Sequence, residues 1–175
     1  AALVLSDGEI VPTDVAVFAL GHSARDTVAS LLERGVAMTP KPFSMGVRIE
    51  HPQAHIDRIQ YGRTAKACGV APADYKQTAV AGNGRGIYTF CMCPGGEVIA
   101  CSSEPGGIVT NGMSRYKRSS GFANSGIVVQ TREEDFAHLP GPELLRGIEL
   151  QRRVERRAFV LGGERYAAPA LRVTD

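Results

Sequence analysis

Between residues 38 and 130 the chain never holds one period for long; short alternating or apolar runs are broken by glycine-bearing turns. That rhythm predicts short strands joined by tight connections, so a sheet built mainly from antiparallel neighbours and not a helical bundle. Residues 43–50 alternate well enough for a strand, and Pro52 opens a short helix through Gln60. Residues 62–72 show no period and read as a linker. Residues 73–81 and 87–93 are expected strands, joined by Gly82-Asn83-Gly84-Arg85-Gly86, and residues 97–102 are expected to pair back onto the second of them across Pro94-Gly95-Gly96. Residues 108–110 and 127–130 supply further strands. A longer helix from about Pro142 to Phe159 places Leu145, Ile148 and Val154 on its buried side. The predicted class over residues 37–175 is α+β, a mostly antiparallel twisted sheet with one or two helices.

Residues 1–36 have a different character. Ala2-Leu3-Val4-Leu5 and Ile10-Val11 flank the turn signal Ser6-Asp7-Gly8-Glu9, which predicts a hairpin. The nearly unbroken apolar run Val15-Ala16-Val17-Phe18-Ala19-Leu20 suits a strand buried on both faces of a parallel sheet. It leads through Gly21-His22 into a helix, with Ser23 as the expected cap, Asp26 three residues on, and Gly35 as the stop. A single parallel-type strand cannot pair both its edges, so residues 1–36 read as the edge of a larger α/β domain.

Composition narrows the function. The net charge is +2, too small for nucleic acid or an anionic membrane to be the main partner. No apolar run nears the ~20 residues that span a bilayer. Four irregularly spaced cysteines do not form a secreted disulfide framework, so a cytoplasmic chain with reduced thiols is expected.

The candidate chemistry lies in a few places. Cys91 and Cys93 are two residues apart on an expected strand, where regular alternation puts both on one face and Met92 on the other. Pairing across the following turn would bring Cys101 to the same face. A disulfide between Cys91 and Cys93 would be strained on a regular strand, and no fourth ligand completes a zinc site. Their plain alternative is burial as small apolar groups. Gly21-His22-Ser23-Ala24-Arg25-Asp26 joins a strand end to a helix N-terminus, a place that favours anions. Arg48, Glu50, His51 and His55 form a polar cluster at a strand–helix junction, where histidine can act as general acid or base or simply shape a turn. Arg115-Tyr116-Lys117-Arg118 is a small basic loop, solvated or holding an anion. Gly82-Asn83-Gly84-Arg85-Gly86 does not have the G-x-G-x-x-G spacing and precedes no helix, so it is a hairpin turn and not a phosphate loop.

These segments also carry a resemblance. Phe18-Ala19-Leu20-Gly21-His22-Ser23-Ala24-Arg25-Asp26-Thr27, Lys41-Pro42-Phe43, Gly46-Val47-Arg48-Ile49-Glu50-His51-Pro52-Gln53, Tyr88-Thr89-Phe90-Cys91-Met92-Cys93-Pro94-Gly95-Gly96 and Asn111-Gly112-Met113-Ser114 resemble a family of uncharacterised bacterial FAD-dependent dehydrogenases. Ala123-Asn124-Ser125 and Glu149-Leu150-Gln151 fit the same family. The resemblance implies a flavoprotein with a discontinuous dinucleotide-binding domain: residues 1–36 as a remnant of that domain, and residues 37–175 as the smaller domain inserted into it. It places Ala19-Leu20-Gly21 beside FAD, with Leu20 where related flavoproteins carry Thr, and makes Gly21, His22 and Ser23 the cofactor-side candidates. It implies that the inserted domain roofs the flavin and shapes a substrate pocket. Arg48, His51, Cys91 and Cys93 are then the catalytic candidates, and Asn111, Ser114 and Arg115 the substrate-binding ones.

The expected function is the substrate-side domain of an FAD-dependent oxidoreductase. Its partners would be the rest of the FAD-binding domain and a small-molecule substrate, with no metal, no nucleic acid and no membrane. Residues 1–175 alone are expected neither to retain FAD nor to turn over. Two other classes stay open: a thiol-redox module using Cys91 and Cys93, and a non-catalytic binding or assembly domain.

Overall fold

The computed structural model of the chain describes residues 2–64 and 69–173. They divide into two compact units at the Val36/Ala37 junction. In the first unit, β1 (Ala2–Val4) and β2 (Ile10–Pro12) form an antiparallel hairpin with Leu3 opposite Val11. Its turn closes through Leu5 N–H to the Glu9 carbonyl at 2.9 Å.

The apolar run 15–20 is not a strand, contrary to its pattern. A parallel-type strand exists only when neighbours take up its backbone groups, and among the described residues the sheet of this unit consists of β1 and β2. Val15 and Val17 are exposed by 80% and 86%. Helix α1 (Arg25–Glu33) begins later than Ser23 implied. Ala24 is its N-cap and provides no side-chain bond, while Asp26 accepts from the Thr27 N–H at 2.8 Å within the first turn. The stop at Gly35 is as expected: Gly35 has φ +76°, its N–H reaches the Leu32 carbonyl, and the Val36 N–H reaches that of Leu31.

The second unit contains β3 (Ser44–Pro52), α2 (Gln53–Tyr61), β4 (Thr78–Val80), β5 (Gly86–Pro94), β6 (Gly96–Cys101), β7 (Val109–Ser114), β8 (Phe122–Gln130) and α3 (Arg146–Leu161). Four strands form an antiparallel sheet in the order β3-β8-β5-β4, and β6 and β7 form a separate hairpin. The fold is α+β. Of the expected linker 62–72, residues 65–68 lie outside the described residues.

Three expectations need correction. Strand β4 is short, because residues 73–77 serve other ends: Ala73 is buried, and Gln77 exchanges bonds with Thr89. Strand β6 does not pair back onto β5. Gly95, at φ +60°, gives its N–H to the Gln53 side chain, and the chain turns off the sheet there. Cys93 therefore has Asn124 opposite it, not Glu97. In α3, Glu155 is buried and Val154 is 48% exposed, so the inward stripe sits one residue from where the apolar pattern placed it.

Register fixes what each face of the sheet carries. Arg48 lies opposite Gly126 and Glu50 opposite Asn124, on one face; Ile49 lies opposite Ser125 and His51 opposite Ala123, on the other. Ile56 of α2, Ala73 and Ala123 cluster beneath the second face, with Met92 and Tyr75 against them. Gln53 ties the layers together. Its amide donates to Asp57 Oδ1 at 2.7 Å and to the Ala73 carbonyl at 3.0 Å, and its Oε1 accepts from Gly95 N–H at 2.8 Å. The β6–β7 hairpin is fastened by Val98 N–H to Glu50 Oε2 at 2.8 Å and by Ser114 Oγ to the Pro94 carbonyl at 2.9 Å.

The turn at residues 82–86 is a hairpin turn, as expected, with Ala81 N–H bonded to the Arg85 carbonyl. Arg85 grips Asp135 with both terminal nitrogens and also reaches Glu134. Together with the Arg132 N–H, the Arg85 guanidinium lowers the Asp135 carboxyl to about 2. Because that folded value lies below the unfolded one, the clamp's contribution is fully present above about pH 4 and is lost as pH falls toward 2. In acid titrations followed by unfolding, Asp135→Asn should remove part of the stability loss over that window; an unaltered acid profile would show that the clamp contributes nothing.

Among the described residues no helix is long and apolar enough to cross a membrane.

Candidate functional site

The site grows from one irregularity in β5. Phe90 pairs with Gly126 and Cys93 with Asn124, so Cys91 and Met92 together stand opposite Ser125 alone. This is a β-bulge, a device that bends a strand and re-aims side chains. Cys91 takes φ +46°, a left-handed conformation uncommon for a residue with a side chain. The alternation expected for Cys91, Met92 and Cys93 is broken as a result. Met92 goes to the core, Cys91 is exposed, and Cys93 is half-buried on the face of Asn124. Cys101 lies at the far end of β6, paired with Val109, so the expected gathering of three sulfurs on one sheet face does not form. Among the described residues, no group of three or more His, Cys, Asp or Glu side chains is placed to hold a metal.

Arg48 holds the bulge. Its Nε donates to Asn124 Oδ1 at 2.9 Å, and one Nη donates to the Cys91 carbonyl and approaches Cys93 Sγ at 3.8 Å. Cys93 Sγ in turn donates to the same Cys91 carbonyl at 3.4 Å. No carboxylate lies within ion-pair distance of Arg48 among the described residues. A half-buried cation served only by neutral acceptors keeps its full charge available.

Gly112 closes this arrangement from above. A Cβ there would overlap both Asn124 Oδ1 and the Arg48 guanidinium, so only glycine lets the β6–β7 hairpin come so close. Asn124 is fully buried, and its Nδ2 has no partner among the described residues. On the same face, farther along β3, Phe43, Ser44, Tyr88, Phe90 and Val128 line an open groove of about 560 Å³.

His51 belongs elsewhere. It lies on the opposite face from Arg48 and Glu50, so the expected cluster at the strand–helix junction is split by the sheet. Its Nε2 lies 3.3 Å from the Tyr75 hydroxyl. Burial, then His55, lower its pKa against the pull of Glu50. Burial raises the Tyr75 hydroxyl, against a hydrogen bond from Ser125 and the charge of Arg48. His51 and Tyr75 thus pair on this face, while Ser125 Oγ reaches the Phe90 carbonyl at 3.3 Å.

The remaining candidates scatter. The Asn111 side chain turns back onto Gly112 N–H at 2.8 Å, and Ser114 is used in fastening the hairpin. Arg115 begins an exposed turn closed by Arg118 N–H to the Arg115 carbonyl at 2.9 Å. In the first unit, Gly21 has φ +74°, and Ser23 Oγ lies 3.5 Å from His22 Nε2. Asn124, Gly112, Tyr75 and Ser125 were not singled out as site residues from the sequence. Gly112, Asn124 and Ser125 lie in the stretches Asn111-Gly112-Met113-Ser114 and Ala123-Asn124-Ser125 that carry the resemblance, without a role read for them.

Comparison with known proteins agrees with this picture at the level of family. Residues 42–175 match the model of the family described as FAD-dependent protein, C-terminal domain-like. The chain belongs to that family. An uncharacterized protein of Clostridium beijerinckii is 44% identical over 173 residues, a stretch covering 98% of this chain and 32% of that relative. The chain thus spans about a third of the length of the curated relative that it matches. Within this FAD-dependent protein domain, the bulge, Arg48 and Asn124 all fall inside the matched segment.

Proposed function

We propose that this domain forms the substrate-side wall of the flavin site in an FAD-dependent oxidoreductase, with Arg48 as the cation that faces the redox centre. The observation that carries the reading is Arg48 itself: fixed by Asn124 and the Cys91 carbonyl, with no carboxylate within ion-pair distance among the described residues. A charge held that way by neutral acceptors suits a group that becomes negative during reaction.

The residues fit FAD in part. The chain has no G-x-G-x-x-G fingerprint, so the described residues offer the pyrophosphate no such loop. What they offer is a cation and, on the same face, an aromatic groove suited to a planar or apolar body. Bound FAD would supply two-electron redox chemistry. Arg48 would orient an anionic substrate group and stabilise negative charge, Gly112 would keep the guanidinium in place, and Phe90, 57% exposed, would contribute apolar contact.

The test uses the full-length protein loaded with FAD and sulfite, an anion that adds to oxidised flavin. Arg48→Met should weaken sulfite binding about tenfold, whereas Arg48→Lys should recover part of the loss. Equal affinities in all three proteins would contradict the placement of Arg48.

A further inference from the structure

The bulge removes the objection that regular strand geometry raises against a bond between Cys91 and Cys93. From Phe90 to Cys93 the chain takes three steps while its partner takes two, from Gly126 to Asn124. Two rows of an antiparallel strand measure about 6.8 Å, so each of those three steps advances only ~2.3 Å. Cys91 and Cys93 then advance by about 4.5 Å along the strand instead of the about 6.8 Å of two regular steps, so the bulge draws them closer than a regular strand would. The left-handed φ of Cys91 marks where the chain is compressed. The Cys93 sulfur already curls back to 3.4 Å from the Cys91 carbonyl, so it lies over the peptide that it would have to bridge.

The two thiols also differ in ways that suit a sequence of steps. Cys91 is exposed, while Cys93 is half-buried beside a guanidinium with no carboxylate within ion-pair distance among the described residues. We infer that Cys91 and Cys93 are a two-electron dithiol–disulfide pair that exchanges with a disulfide-bearing substrate. The Cys91 thiolate, having lost its proton to solvent, attacks one sulfur of R–S–S–R; a mixed disulfide forms and one thiolate, RS⁻, leaves. The Cys93 thiol, its proton also released to solvent, then attacks the Cys91 sulfur as thiolate, the second RS⁻ leaves, the Cys91–Cys93 bond closes, and the two RS⁻ take up two protons from solvent. Two electrons and two protons have passed from the protein to the substrate, which is released as two thiols. Arg48 Nη faces the negative charge on the Cys93 sulfur during that second step. Return of the pair to the dithiol requires two electrons and two protons, and only this recharging rests on the flavin reading above.

The experiment uses the full-length protein carrying Cys68→Ser and Cys101→Ser, mixed with glutathione disulfide, quenched over time and mapped by peptide mass. The expected product is an internal Cys91–Cys93 disulfide with two equivalents of glutathione released. Cys93→Ser should stop at glutathione on Cys91, and Arg48→Met should close the ring about tenfold more slowly. Stable glutathione on both cysteines, or two free thiols with no glutathione released from the folded protein, would overturn the proposal. The first measurement needs no change at Cys91 or Cys93, so misfolding of those variants cannot decide it. Photoreduction of the flavin in the oxidised protein then separates the two readings: a ring that closes with glutathione disulfide but never reopens would refute the flavin link alone.

Discussion

Replacing Gly95 with alanine is expected to destabilise the 37–175 unit by about 3 kcal/mol. Gly95 holds φ +60°, where a side chain costs roughly 1–2 kcal/mol. A Cβ there would also overlap the Arg118 carbonyl, and backbone cannot step aside as a flexible side chain does, which adds roughly 1–3 kcal/mol. The same turn carries the Gly95 N–H bond to buried Gln53 and the Ser120 N–H bond to the Gly95 carbonyl, so a displaced Gly95 loosens both. Gly84→Ala is the control. It has φ +76° with nothing within 4 Å of its Cβ position, so only the conformational cost of about 1 kcal/mol should appear. Urea unfolding of the two variants measures the difference. Equal losses would mean that the approach of the basic turn to Gly95 is not as tight as described.

The second large effect concerns Arg48. Arg48→Met keeps much of the apolar stem but removes every donor, leaving Asn124 Oδ1 without its partner in a side chain already fully buried. An acceptor stranded in that way costs about 1–3 kcal/mol. The Cys91 carbonyl loses the same guanidinium, so the left-handed backbone at Cys91 loses one of its restraints. Denaturant unfolding should show a loss of about 2 kcal/mol. Unchanged stability would mean that Arg48 does not hold the bulge.

How much of this was legible beforehand depended on whether a feature is local. The hairpin turn at residues 82–86, the glycine stop after α1 and the start of α2 after Pro52 are decided by a few adjacent residues, and each appears where its signal stands. The bulge is different. Cys91-Met92-Cys93 alternates like an ordinary strand, and only the register against Gly126, Ser125 and Asn124, more than thirty residues on, adds the extra residue. Likewise Gly112 reads as a weak point in a strand until the hairpin is seen resting on Arg48. Strand β6 was misassigned because a Pro-Gly-Gly turn promises a return onto the preceding strand, whereas Gln53, some forty residues earlier, captures Gly95 and redirects the chain. The apolar run 15–20 has strand chemistry but no pairing partner in its unit, and periodicity cannot supply one. Arg48, Cys91 and Cys93 were picked from residue type and are found together; His51, picked for the same reason, falls on the other side of the sheet because neighbours in a strand alternate.

The most direct measurement is the midpoint potential of FAD in the full-length protein, parent against Arg48→Met. The reduced flavin carries negative charge, so a cation facing it raises the potential, and 30 mV corresponds to about 1.4 kcal/mol for a two-electron couple. The account predicts a fall of about 30–60 mV in Arg48→Met, with Arg48→Lys in between. A potential that stays the same in all three proteins, with FAD bound in each, would contradict the claim that this domain presents Arg48 to the flavin.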